Sequence, residues 1–251
     1  MILFLAGTSD ARTLAVELQK KGYKLLATVV TNSAAISLEE AQVPYYVGRL
    51  TKSDMLAMIR DKKITTVIDA SHPYAEEASK TAMEAANESD LPYIRYERPQ
   101  QEHVHPLVTE VDTYEEAALL ACEHSGTVML TTGSKTLATF TKYLLKDSIR
   151  LVCRMLPNKE NMEKCDALGV KQRDIIAIQG PFSKELNTAL YRQYETSLVI
   201  TKESGKVGSV DEKIEAALEL NIPVILIKRP KINYTNQCST FEEVYEKLGG
   251  I

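Results

Sequence analysis

Short apolar runs recur along the chain, and each is followed by a longer stretch in which apolar residues return every three or four positions. The runs predict strands and the stretches predict helices packed on them. Strands are expected at Ile2–Ala6, Lys24–Val30, Tyr45–Val47, Thr65–Ala70 and Tyr93–Tyr96, then at Val128–Thr132, Arg150–Cys153, Ile175–Ile178, Ser197–Thr201 and Val224–Ile227. Helices fill the gaps, as in "DARTLAVELQKKG", which Gly22 closes, and in the stretch after Ser71, where Pro73 suits a first helical turn. Asp112 with Glu115, and Ser239 with Glu242, have capping-box spacing. Alternation of this kind implies a parallel sheet covered on both faces.

The pattern occurs twice. At a shift of 126 positions "FLAGTSDARTL" (Phe4–Leu14) lies over "LTTGSKTLATF" (Leu130–Phe140), with Gly7 over Gly133. At 132, "VIDAS" (Val67–Ser71) meets "VITKE" (Val199–Glu203), and at 131 "LPYIRYERP" (Leu91–Pro99) meets "IPVILIKRP" (Ile222–Pro230). The order is kept and the shift drifts by only a few residues, which implies two copies of one unit joined near residue 126. The fold class expected is α/β: two Rossmann-like parallel-sheet units from an internal duplication, with a ligand cleft between them. The N-terminal unit is expected over residues 1–110 and the C-terminal one over 111–251. The segments after each "RP" are open to either sheet.

Composition narrows the chemistry. A net charge of −4 disfavours a non-specific nucleic-acid binder, and no apolar run is long enough to cross a membrane. Cys122, Cys153, Cys165 and Cys238 are scattered without a CxxC pair, which reads as reduced thiols in a cytoplasmic protein with no metal site. His103 and His105 are two apart, but nothing nearby completes a metal site, so they read as linker.

In a parallel sheet, ligands bind beyond the carboxyl ends of the strands. The segments there carry Arg12, Arg49, Arg98, Lys135, Arg154, Lys202, Lys206 and Arg229. Turn chemistry explains the Gly and Pro of these loops but not the cations, which point to an anionic ligand. "AGTSDAR" retains only Gly7 of a three-glycine dinucleotide turn, with Thr8 and Ser9 as hydroxyl donors at a helix N-terminus; a plain strand-to-helix turn is the other reading. Ser204 and Gly205 in "KESGKVGSVDEK" have the same two readings, phosphate loop or surface loop. After the second strand, Thr31, Asn32 and Ser33 offer neither the acid usual for NAD nor a base for NADP. His72 is either a general acid or a local helix cap.

Seven segments together resemble the precorrin-6A reductase family, including its cobalt-precorrin-6A form: "GTSDAR", "DASHPYA", "PYIRYERP", "TTGSK", "QGPFS", "TKESGKVGSVDEKIEAA" and "IPVILIKRP". They span nearly the whole chain in order. The chain departs from many relatives at Ala6, where they carry a second glycine, and in having no Trp. The resemblance implies an oxidoreductase of cobalamin biosynthesis, which reduces one carbon–carbon double bond of a corrin precursor with NADPH or NADH to give the 6B form. It implies a small-molecule tetrapyrrole as partner, with the chain a monomer or a homodimer. Gly7, Thr8, Ser9, Arg12, Thr31, Ser71, His72 and Pro73 would then hold the dinucleotide. Arg49, Arg98, Gly133, Ser134, Lys135, Arg154, Lys202, Ser204, Gly205 and Arg229 would meet the carboxylates of the macrocycle. His72, Lys135 and Lys202 are the proton-donor candidates. A non-catalytic protein that binds a nucleotide or a tetrapyrrole is the competing reading.

Overall fold

The computed structural model describes residues 1–99, 104–203 and 211–249. Two compact units divide the chain: Met1–Pro99 with Pro230–Ile251, and Gln100–Arg229. The first opens with β1 (Ile2–Ala6), α1 (Ser9–Lys20), β2 (Leu25–Val29), α2 (Asn32–Glu40), β3 (Tyr45–Val47), α3 (Lys52–Lys62), β4 (Thr66–Ala70), α4 (Glu76–Glu88) and β5 (Tyr93–Tyr96). The second contains β6 (Val108–Val111), α5 (Tyr114–Ala121), β7 (Gly126–Leu130), α6 (Leu137–Leu144), β8 (Ile149–Met155), α7 (Lys159–Ala167), β9 (Ile175–Ala177), α8 (Lys184–Gln193), β10 (Thr196–Lys202), α9 (Glu212–Glu219) and β11 (Val224–Ile227). The chain then returns to the first unit as β12 (Gln237–Cys238) and α10 (Phe241–Gly249).

Each unit holds a six-stranded sheet, in the orders β12-β5-β4-β1-β2-β3 and β6-β11-β10-β7-β8-β9. All the pairings are parallel. The ten strands expected from periodicity are present, with ends shifted by a residue or two. Two of the four outermost strands, β6 and β12, were not expected. "VTEV" has exposed Thr109 and Glu110, and "QC" is two residues long, so neither carries an apolar run to mark it. They also set the unit boundaries. The expected division after residue 110 gives way to one near 99 and 230, because β6 pairs with β11 and β12 pairs with β5.

Alternation along the central strands sorts the core. Leu3, Val67 and Tyr93 pack with Met55, Ile59, Ala82 and Ala85 of α3 and α4. Ile2, Phe4, Ile68 and Ile94 pack on the opposite face with Leu14, Leu18 and Leu38 of α1 and α2, and with Val244 and Leu248 of α10. In the second unit Met129, Val152, Val199 and Leu226 meet Tyr191, Ile214 and Ala217 of α8 and α9.

The capping boxes lie one residue later than the spacing suggested. The Thr113 hydroxyl accepts from Glu116 N–H, and the Glu116 carboxylate accepts from the N–H groups of Thr113 and Asp112. Thr240 and Glu243 repeat this at α10, with Ser239 N–H donating to Glu243 at 2.6 Å. A carboxylate at the third helical position reaches back past its cap, and that reach displaces the pair. Pro73 stands before α4, in a turn closed by Ala75 N–H to His72 O at 2.7 Å, so the helix starts later than expected.

The helix α10 belongs to the core of the first unit. Leu248→Ala is expected to cost about 2 kcal/mol in urea unfolding. A loss below about 0.5 kcal/mol, the range of ordinary surface positions, would show that α10 only lies along the surface.

Candidate functional site

In each sheet there is one point where neighbouring strands send the chain to opposite sides, and such points bind ligands. In the first sheet it lies between β1 and β4, in the second between β7 and β10.

In the first unit β1 ends in Gly7, and Gly7 N–H donates to Ala70 O at 3.3 Å. A Cβ at Gly7 would stand 2.4 Å from His72 N and 2.9 Å from Ser71 Cα, so only glycine lets the turn lie on the Ser71–His72 peptide. Thr8 caps α1 by accepting from Ala11 N–H at 3.1 Å, and Thr31 caps α2 by accepting from Ala34 N–H at 3.3 Å. These two helix starts flank a cavity of about 280 Å³ lined by Ala6, Gly7, Thr8, Ser9, Arg12, Val29, Thr31, Ala34, Ser37 and Leu38. No carboxylate lines it, Arg12 is cationic, and the unpaired N–H groups of α1 and α2 favour negative charge.

Beneath the Ser71–His72 peptide lies a charged network. Arg95 and Asp69 are fully buried neighbours on β5 and β4, paired at 2.9 Å. Arg95 also donates to Glu97 from Nε at 3.0 Å and Nη2 at 2.7 Å, and to the Ser71 hydroxyl at 3.1 Å. Tyr93 O–H donates to Asp69 at 2.8 Å, and Ser71 N–H donates to Asp69 at 2.9 Å. Burial opposes the Arg95 charge, but Asp69 and Glu97 more than offset it and its pKa is raised. Burial, with the Asp69 charge beside it, pushes the Tyr93 phenol up and keeps it protonated.

The switch point of the second unit is cationic. Gly133, at φ +81°, opens a short turn over Ser134–Thr136 that exposes Lys135. Lys202 ends β10, half-buried, and its pKa is lowered to about 8, first by burial and then by Lys213 and Lys135. Arg154 on β8 is buried, donates to Asn187 Oδ1 at 2.6 Å and lies over the Phe182 ring at 4.3 Å. Burial lowers its pKa, with Tyr191 and Asp211 acting against that. Guanidinium and ammonium groups of this kind are able to bind carboxylates.

The expected residues thus divide. Gly7, Thr8, Ser9, Arg12 and Thr31 line one cavity. The Ser71 side chain turns into the Arg95 network instead, while Ser71 and His72 support Gly7 through their backbone. His72 Nδ1 accepts from Tyr74 N–H at 3.3 Å, a local capping contact. Pro73 is not among the lining residues. Arg49 is exposed beyond β3, and Arg98 is paired with Asp10 of α1. Arg229 is buried against Glu203 at 2.7 Å, an internal pair rather than an exposed cation. Ser204, Gly205, Lys206 and His103 lie outside the described residues. No metal-ligand cluster occurs among the described residues. Sequence reading missed Asp69, Arg95 and Glu97, although a charge inside an otherwise apolar buried strand was the available signal. Asn187 and Phe182, which hold Arg154, left no such signal.

The chain is similar to known proteins over nearly its whole length. A family model described as precorrin-6x reductase CbiJ/CobK matches residues 1–249. A cobalt-precorrin-6A reductase of Priestia megaterium is 58% identical over 249 residues, covering 99% of this chain and 98% of its own. Another from Salmonella typhimurium is 36% identical, covering 91% and 87%. The solved structure of a CobK precorrin-6A reductase superposes with a TM-score of 0.81 at 24% identity, covering 99% of this chain and 96% of its own, and so shares the fold. The chain belongs to the precorrin-6x reductase CbiJ/CobK family and is a reductase of cobalamin biosynthesis.

Proposed function

We propose that the chain reduces one carbon–carbon double bond of precorrin-6A or its cobalt form to the 6B form, with NADPH or NADH bound in the first unit. The cavity at Gly7 carries this reading, because it joins a backbone-close glycine turn, two helix starts and a lining free of carboxylates. A reduced nicotinamide dinucleotide held there supplies the hydride. Thr8, Ser9 and the first N–H groups of α1 hold its phosphates, with Arg12 adding charge. Thr31 and the start of α2 meet the ribose end, where β2 closes without an acid to repel a 2′-phosphate.

The second unit receives the substrate. Its acetate and propionate groups meet Lys135, Arg154 and Lys202, and Arg154 is held ready by Asn187 and Phe182. Reduction also needs a proton, and Lys202 is the donor. Its ammonium is fully formed below a pKa of about 8 and lost above it, so the activity falls as pH rises through that value. Burial first, and then Lys213 and Lys135 nearby, keep that proton loosely held.

An anaerobic assay of both substrates with each nucleotide tests the function. Oxidation of one equivalent of nucleotide together with formation of the 6B chromophore is expected, and no spectral change in any of the four mixtures would refute it. Gly7→Ala is expected to weaken dinucleotide binding by at least about tenfold, roughly 1.4 kcal/mol. An unchanged Kd by fluorescence titration would move the site elsewhere. Lys202→Gln is expected to lower kcat roughly a hundredfold and to abolish the fall in rate near pH 8. A variant that keeps the alkaline limb would assign the proton to another group.

A further inference from the structure

The Arg95 network is larger than sheet pairing needs. Removing an arginine and two carboxylates from water costs several kcal/mol per ion before their attraction returns any of it. The second copy of the unit shows that the fold does without charge at these two strand positions. The positions of Asp69 and Arg95, paired across β4 and β5, correspond to Thr201 and Leu226, paired across β10 and β11. The same parallel sheet forms there around a threonine and a leucine. The charges of the first copy therefore serve something the second copy lacks.

What they touch indicates what that is. Ser71 is fixed twice, by its hydroxyl to Arg95 at 3.1 Å and by its N–H to Asp69 at 2.9 Å. The next peptide nitrogen, His72 N, is the atom a Cβ on Gly7 would strike. On the other side, the ring of Tyr234 covers the guanidinium at 5.1 Å and stacks on Tyr93 at 6.5 Å. Asn236 holds the same strand, accepting from Arg95 N–H at 2.8 Å and donating to Tyr93 O at 3.2 Å. Tyr234 thus locks Arg95, Arg95 locks Ser71, and Ser71 sets the floor under the glycine turn.

We propose that Arg95 and Tyr234 are positioning residues for the dinucleotide turn, holding the Ser71–His72 peptide at the height Gly7 requires. The inference rests on the reading of the first unit as the dinucleotide site. Arg95→Lys keeps the charge but loses the planar fork that reaches Asp69, Glu97 and Ser71 together. Tyr234→Leu leaves the ion pairs and removes the ring over them, while Tyr234→Phe removes only the hydroxyl.

Fluorescence titration with NADH and NADPH, steady-state kinetics and thermal unfolding of the full chain give the test. Arg95→Lys and Tyr234→Leu are expected to weaken nucleotide Kd about tenfold while the KM for the tetrapyrrole stays within about twofold, and Tyr234→Phe is expected to restore wild-type affinity. If Arg95→Lys does not fold, the two Tyr234 variants carry the comparison. Variants that melt earlier but bind nucleotide as the wild type does would make the network purely structural and overturn the inference. A parallel loss in both substrates would overturn it as well. A wild-type chain that binds neither nucleotide would remove the parent reading, and this one with it.

Discussion

The approach of two backbone segments at Gly7 governs the first unit. Parallel pairing of β1 with β4 brings their carboxyl ends side by side, and the two following loops must then diverge to opposite faces of the sheet. At the point of divergence there is room for backbone alone. The turn that results brings the first N–H groups of α1 to the cavity, and such groups favour an anion. The cavity, the helix caps at Thr8 and Thr31, and the buried charges under Ser71 are all arranged around that contact.

Duplication gave both units the same scaffold, and the chemistry then diverged at matching positions. Where β4 is followed by Ser71, β10 is followed by Glu203, which takes Arg229 as its buried partner. Ala70 at the end of β4 corresponds to Lys202 at the end of β10. One switch point carries Arg12 beside its cavity and a charged network buried beneath. The other carries Lys135 and Lys202, with Arg154 buried on β8. On the proposed reading, one scaffold has thus been fitted to two different anions, a pyrophosphate and a polycarboxylate.

Much of this was legible in the sequence. The apolar runs of β1, β4, β5, β7, β10 and β11 are buried on both faces, and such strands announce themselves. The glycine turn was legible because Gly7 follows an apolar strand and precedes a helical pattern. Other features depend on partners distant in sequence. Nothing local distinguishes Arg98 from Arg49, yet one meets Asp10 and the other is exposed. Arg229 and Arg154 look alike in sequence, but Glu203 occupies the first whereas Asn187 supports the second. β6 and β12 were invisible because neither has an apolar run: "VTEV" carries exposed Thr109 and Glu110, and "QC" offers only Cys238 to the core.

The exchange of outermost strands orders events during synthesis. When β5 leaves the ribosome its outer edge has no neighbour, and the strand that will cover it is encoded more than half the chain later. The intervening unit is contiguous, so it can complete itself while the earlier sheet still waits with one side open. Such an open edge invites pairing with other chains.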